Sequence, residues 1–193
     1  RIQSFPDQFI FKGTTIENAQ KEQTGSITVP KGVRRPYMFG GMWYDEIEVK
    51  IYAPLHCELY ASDGFTRAVH LATSIDKGLT WQYVGPLVTR YDDGGKLTDM
   101  RQQSGQSKDG GPGDMHLTVD ERGGYIYLYS HVWTYQQNGC TDSEMPAHQC
   151  RYQVARCAIS DKMAPGKWQK FYHGGWTEPG LGGKGSNVRA FYV

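Results

Sequence analysis

Residues Ser74-Ile75-Asp76-Lys77-Gly78-Leu79-Thr80-Trp81 fill the pattern S-x-D-x-G-x-T-W at all five fixed positions, and that pattern leaves the backbone little choice. Ser74 and Asp76 can hydrogen-bond the turn backbone, and Gly78 tolerates a positive φ where a side chain would clash. Thr80 returns the chain to a strand. Trp81 supplies an apolar plate that packs beneath the turn, with an indole N–H that needs one polar partner. The segment is a tight hairpin, so strands must flank it. A generic Asp-Gly hairpin is the plainer reading of the same residues.

The element resembles the Asp-box, or BNR repeat, of sialidases and related β-propellers, where it links the third and fourth strands of a blade. The resemblance implies an all-β fold of four-stranded antiparallel blades, of the carbohydrate-active enzyme type. It is a folding device, so it implies an architecture before an activity. The arginine triad and F-R-I-P strand of true sialidases are not evident, since Arg35-Pro36 is only a fragment of that strand. Sialic acid is therefore not the expected substrate.

A repeat supports the same architecture. Tyr44 to His56 aligns with Val119 to His131 at one offset, matching Asp45-Glu46 with Asp120-Glu121, Ile51-Tyr52 with Ile126-Tyr127, and His56 with His131. His70-Leu71-Ala72-Thr73-Ser74 and Trp81 follow the first copy. Gln153 to Asp161, then Gly166-Lys167-Trp168, follow the second as a degraded version of the hairpin. Each unit reads as four strands, the blade of a propeller. The chain, 1–193, is expected to be a single β-propeller domain or part of one, with blade-like repeats at about 43–90 and 115–173.

Composition agrees, because 13% aromatics with 24 Gly and 9 Pro in 193 residues suit short strands and tight turns. No segment sustains helical amphipathic spacing; the nearest, Ile16 to Thr24, is too polar for a core helix. A blade takes about 40–50 residues and a closed ring at least about four or five blades, so the chain is expected to cover only part of the ring. Phe9 to Gly13 and Ser26 to Val29 are expected to supply outer strands of an earlier blade, and Ser186 to Val193 to begin a later one. A self-contained open β-sandwich is the competing account, since this length buries about 70% of its unfolded surface.

The formal net charge is +1, and Arg34-Arg35 is the only basic doublet, so the chain carries no nucleic-acid footprint. No apolar run approaches membrane-spanning length, and no signal peptide or lipidation pattern stands at Arg1. A chain beginning at Arg says little about export. The resemblance implies a secreted or periplasmic protein with a carbohydrate substrate, and neither nucleic acid nor membrane as partner.

Of the four cysteines, Cys57 stands alone while Cys140, Cys150 and Cys157 cluster around His148. Cys140 and Cys150 suit a disulfide across a Gly/Asp/Pro-rich loop, the usual device of a secreted enzyme. Cys140, His148, Cys150 and Cys157 also make a Cys₃His set of the kind that holds structural zinc, although their spacing matches no standard zinc pattern. Free buried thiols are the third reading. The expectation is a disulfide and no cofactor.

The chemistry concentrates in Gly110-Gly111-Pro112-Gly113-Asp114-Met115-His116-Leu117-Thr118-Val119-Asp120. Asp114 and His116, on alternate positions, send both side chains to one face of a strand. The stretch resembles the inner strand of five-bladed glycosidase propellers, which implies a catalytic or sugar-orienting role for Asp114. The plainer reading has Asp114 capping a turn and His116 packing in a channel wall. His56 and His131 hold equivalent repeat positions, and Glu58 shares the face of His56. Asp114, His116, His56, Glu58 and His131 are the candidate catalytic residues. Arg67, His70, Tyr135 and Trp176 are candidate substrate contacts, with Trp43 and Trp133 as further aromatic platforms or packing residues.

Three functional classes fit. A glycoside hydrolase needs two carboxylates, and Asp114 with Glu58 is the pair, Asp45 in reserve. A propeller-type polysaccharide lyase would use His or Tyr as base and Arg or His against a uronate carboxylate. A non-catalytic lectin needs only aromatic pockets.

Overall fold

The computed structural model describes residues 2–5, 9–12, 14–15, 17–23, 27–38, 40–61, 64–91, 108–135 and 151–186. The fold is all-β, in antiparallel sheets. Strand β1 (Ile2–Phe5) pairs with β4 (Ile27–Pro30), and between them in the chain β2 (Phe9–Lys12) pairs with β3 (Gln20–Gln23). The two N-terminal segments expected to share one sheet thus lie in separate strand pairs.

Two larger sheets follow. In the first, β5 (Val33–Met38) and β6 (Trp43–Asp45) both lie along β7 (Lys50–Ala61), which pairs with β8 (Gly64–Ser74), which pairs with β9 (Gln82–Val88). The second runs β10 (Lys108–Asp120), β11 (Tyr125–Tyr135), β12 (Arg151–Ala158), β13 (Gln169–Tyr172) and β14 (Gly175–Pro179), each strand paired to the next. The Ser74 to Trp81 hairpin joins the third and fourth strands of the first meander.

The repeated Asp-Glu pairs start equivalent hairpins. Asp45 Oδ1 accepts the N–H groups of Ile47 and Glu48 at 3.0 and 3.3 Å, and Asp120 Oδ1 accepts that of Gly123 at 2.9 Å. Both turns close through a positive φ, +74° at Gly124 and +52° at its counterpart Val49, where a β-branched residue is strained. Asp45, held in reserve as a catalytic carboxylate, is instead a buried turn-former. Its other oxygen accepts Lys162 Nζ from the turn between β12 and β13.

Alternation along the central strand sorts its side chains to two cores. Ala53, Leu55 and Cys57 face Ile27 and Val29 of β4, with Trp81. Tyr52 faces the other way and joins Val69, Leu71, Met115, Leu117, Ile126, Leu128 and Trp168 between the two large sheets. Each fully buried aliphatic side chain contributes roughly 1.5–3 kcal/mol of transfer free energy, so this inter-sheet layer sets the stacking. Two further ties cross it. Gly40 O accepts Leu117 N–H at 2.6 Å, and the buried Lys170 Nζ donates to Thr89 O and Gly183 O, each at 2.6 Å.

The β12 to β13 connection is the degraded hairpin. A 3-10 turn, Ile159–Asp161, leads through Lys162 and Met163, both at positive φ, to Trp168, whose indole N–H donates to Met163 O at 3.4 Å. Trp168 is 1% exposed. Cys57 and Cys157 are free thiols, one in each core. Burial pushes the Cys157 thiol up to about 12. Cys157 is therefore a core residue of β12, which answers to the free-thiol reading. Cys140, His148 and Cys150 lie outside the described residues.

Candidate functional site

The candidate site forms where β10 crosses the second and third strands of the first sheet. Gly111 and Gly113 let it come that close. A Cβ on Gly111 would stand 2.0 Å from Arg67 O, and one on Gly113 would stand 2.7 Å from His56 Cε1. Between Gly113 and Met115 the register with β11 slips by one residue, and the extra residue is Asp114. Its φ of +38° is a left-handed conformation that a non-glycine residue adopts at a cost. Beyond the bulge the strand alternates, with Met115 and Leu117 in the inter-sheet core and His116 and Thr118 on the exposed side.

The bulge sets the Asp114 carboxylate, about half exposed, between two imidazoles. Oδ1 lies 3.5 Å from His56 Nδ1 and Oδ2 lies 3.9 Å from His131 Nδ1. The Asp114 main-chain N–H donates to His56 Nδ1 at 3.1 Å. His56 sits on β7 and His131 on β11, each the second strand of its meander and each the same distance past its Asp-Glu turn. Burial pulls both histidines below their ordinary range, the Asp114 charge opposing it and Arg67 adding to it. Both rings are neutral at neutral pH.

Around them stand a second carboxylate, two guanidinium groups and two phenols. Glu58, buried on the His56 face of β7, is 3.5 Å from Arg35 Nη1 and directly opposite Arg67 on β8. Arg35 occupies a bulge of its own in β5, at φ +46°. The Tyr37 ring lies 6.4 Å from His56, and the Tyr152 ring 5.6 Å from His131. The sequence pattern did not single out Arg35, Tyr37 and Tyr152 as site residues, because cross-strand register brings them there. Only the Arg35-Pro36 pair left a local trace.

The structure therefore gathers Asp114, His56, His131, Glu58 and Arg67, and leaves His116 on the same exposed side of β10. His70 is not among them. It is 3% exposed on the opposite face of β8, its Nδ1 2.7 Å from the Tyr83 hydroxyl, and burial pulls its pKa down to about 4. His70 is a core residue and not a loop-level contact, because strand alternation from Arg67 puts it on the other face. Trp176 lies on the outer face of the second sheet, where Arg156 sits between its ring (4.4 Å) and that of Tyr125 (4.0 Å). Trp43 packs on Tyr52 with ring centroids 5.0 Å apart, which makes it a packing residue. The side chains of Trp133 and Tyr135 lie outside the described residues.

A groove of about 520 Å³ opens near the β12 to β13 turn, lined by Tyr125, Asp161, Lys167, Gln169, Thr177 and Glu178 among others. It lies roughly 20 Å along β11 from His131, six residues away at ~3.4 Å each, and is separate from the histidine cluster. Among the described residues no group of three or more His, Cys, Asp or Glu side chains is arranged to hold a metal ion. No known protein family, curated protein or solved structure matches the chain. Function rests on the geometry.

The chemistry open to the cluster follows from its protonation. A half-exposed carboxylate between two neutral imidazoles, with a second carboxylate and an arginine close by, can take or relay a proton and can hold a polar substrate.

Proposed function

We propose that the chain is an Asp-box propeller, or part of one, of the carbohydrate-active enzyme type, and that it hydrolyses glycosidic bonds in an extracellular polysaccharide. The single observation that carries the reading is the Asp114 carboxylate, raised on a strained bulge between His56 and His131 while Glu58 supplies the second carboxylate that hydrolysis needs. Two stacked antiparallel meanders, with the Ser74 to Trp81 turn between third and fourth strands, support the propeller side of it. Asp114 is the reacting carboxylate and Glu58 its partner. His56 and His131 orient Asp114, Arg35 and Arg67 bind the substrate's polar groups, and His116 extends the exposed face toward the sugar.

A lyase is the second reading, favoured by one observation. Each neutral histidine has a tyrosine ring beside it and the charge of Arg67 acts on both, which are the base and carboxylate-neutralising types that elimination uses. Purified protein incubated with neutral and uronate-containing polysaccharides separates the two. A hydrolase releases reducing ends with no new near-ultraviolet absorbance, and Asp114→Asn lowers that rate by roughly 100- to 10,000-fold. An absorbance rise that survives Asp114→Asn and disappears with His56 or His131 variants assigns the lyase. Glycan binding without any turnover defeats both.

A further inference from the structure

We propose that His56 is a positioning residue for Asp114, held as the Nε2–H tautomer so that its bare Nδ1 accepts the Asp114 main-chain N–H and fixes the bulge. The inference deepens the reading of Asp114 as the reacting carboxylate and rests on it for its functional meaning, but its geometry stands alone.

A backbone N–H can only donate. At 3.1 Å from His56 Nδ1, it requires that nitrogen to carry no proton, so the proton of the neutral ring sits on Nε2. The bond matters because of where it falls. Asp114 is the unpaired residue of the bulge, at φ +38°, and such a conformation persists only where its surroundings hold it. His56 supplies that hold from the neighbouring sheet. Gly113 makes the approach possible, since a Cβ there would stand 2.7 Å from His56 Cε1 and 2.8 Å from Nδ1.

The same geometry makes the hold sensitive to acid. A proton on Nδ1 would face the Asp114 N–H, and Asp114 Oδ1, at 3.5 Å, is within reach to receive it. Protonation thus trades a bond that supports the bulge for one that captures the carboxylate. Among the described residues the groups facing the ring include Asp114 from β10, Arg67 from β8, Glu58 on β7 itself and Tyr37 from β5. Asp114 and Glu58 favour the proton, while burial and Arg67 oppose it.

Nuclear magnetic resonance of the full chain, with labelled histidine rings and backbone amides, tests this without any substrate. At neutral pH the His56 ring should show a protonated Nε2 and a bare Nδ1, and the Asp114 amide should exchange slowly with solvent. Two substitutions then separate positioning from bulk packing. His56→Asn keeps an amide oxygen near the place of Nδ1, whereas His56→Gln puts it near the place of Nε2. The Asn variant should retain slow Asp114 exchange, while the Gln variant speeds it by about tenfold. In the Gln variant the titration of His131 should also move down, because the carboxylate that raises it has left its place. An Nδ1–H tautomer or a charged His56 at neutral pH overturns the proposal, as does identical behaviour of the two variants. Should either variant fail to fold, the wild-type tautomer decides. An inactive protein with these signatures intact would defeat the hydrolase reading and leave the positioning role standing.

Discussion

Asp76 organises its turn with one carboxylate. Oδ1 accepts the Ser74 hydroxyl at 2.7 Å and the Thr80 N–H at 2.8 Å, Oδ2 accepts the Thr80 hydroxyl at 2.5 Å, and Ser74 Oγ in turn accepts the Gly78 N–H at 2.8 Å. The Thr80 hydroxyl, the Thr80 N–H and Ser74 together pull the Asp76 carboxyl down to about 2. A carboxylate held below its unfolded value contributes stability above the unfolded pKa, near 3.8, and loses it as pH falls toward the folded value. Asp76→Ala should therefore lower the melting temperature at pH 7 and narrow the gap to wild type between pH 4 and pH 2, as read by calorimetry. The turn lies far along the sheet from Asp114, so the folded variant should keep whatever turnover the wild type has. A selective loss of turnover in a fully folded variant would overturn the structural assignment. Trp81, buried below the turn, finds no partner for its indole N–H among the described residues, so apolar burial is its contribution.

The second hairpin keeps the tryptophan and little else of the pattern. A 3-10 turn and three positive-φ residues do what Ser, Asp and Gly do in the first, and they deliver Trp168 to the inter-sheet core. Trp168→Ala should cost about 3–5 kcal/mol, measured by urea unfolding, and a cost below 1 kcal/mol or so would mean that the core closes over the gap. These elements show what a sequence can and cannot display. The Ser74 to Trp81 turn was legible because its hydrogen bonds run between residues at most four apart. The Asp-Glu hairpins were legible because their aspartates cap their own turns, and the offset between copies placed His56 and His131 on equivalent strands. The Asp114 bulge was not legible, since its φ and its approach to His56 depend on register and on residues 58 positions away. Strand alternation, applied from Arg67, would have put His70 on the far face. The N-terminal strands gave no pattern from which to read their partners, because short apolar segments pair equally well in several ways.

At the scale of the whole molecule, burial lowers the pKa of three histidines among the described residues, inside or beside the stack, and that couples its stability to pH. His70 in the core facing β4, and His56 and His131 at the site, all have pKa values lowered chiefly by burial. For His70 the folded value is about 4 against an ordinary 6.5, so as pH falls through 6.5 the unfolded chain takes up a proton that the folded chain refuses. Stability is full above pH 6.5 and is lost progressively down to pH 4. The loss from His70 alone is on the order of 3 kcal/mol at 1.36 kcal/mol per pH unit. His56 and His131 act in the same direction, and the window lies above that of Asp76, so the histidines govern the first stage of acid destabilisation. Urea midpoints measured every half unit from pH 7.5 to pH 3.5 should fall through this range. His70→Asn, which keeps an amide oxygen near the place of Nδ1 to accept from the Tyr83 hydroxyl but cannot titrate, should flatten most of the slope even where its stability at pH 7 is lower. A wild-type midpoint that stays constant down to pH 4, or a slope that His70→Asn leaves intact, would show that the buried rings do not carry the acid response.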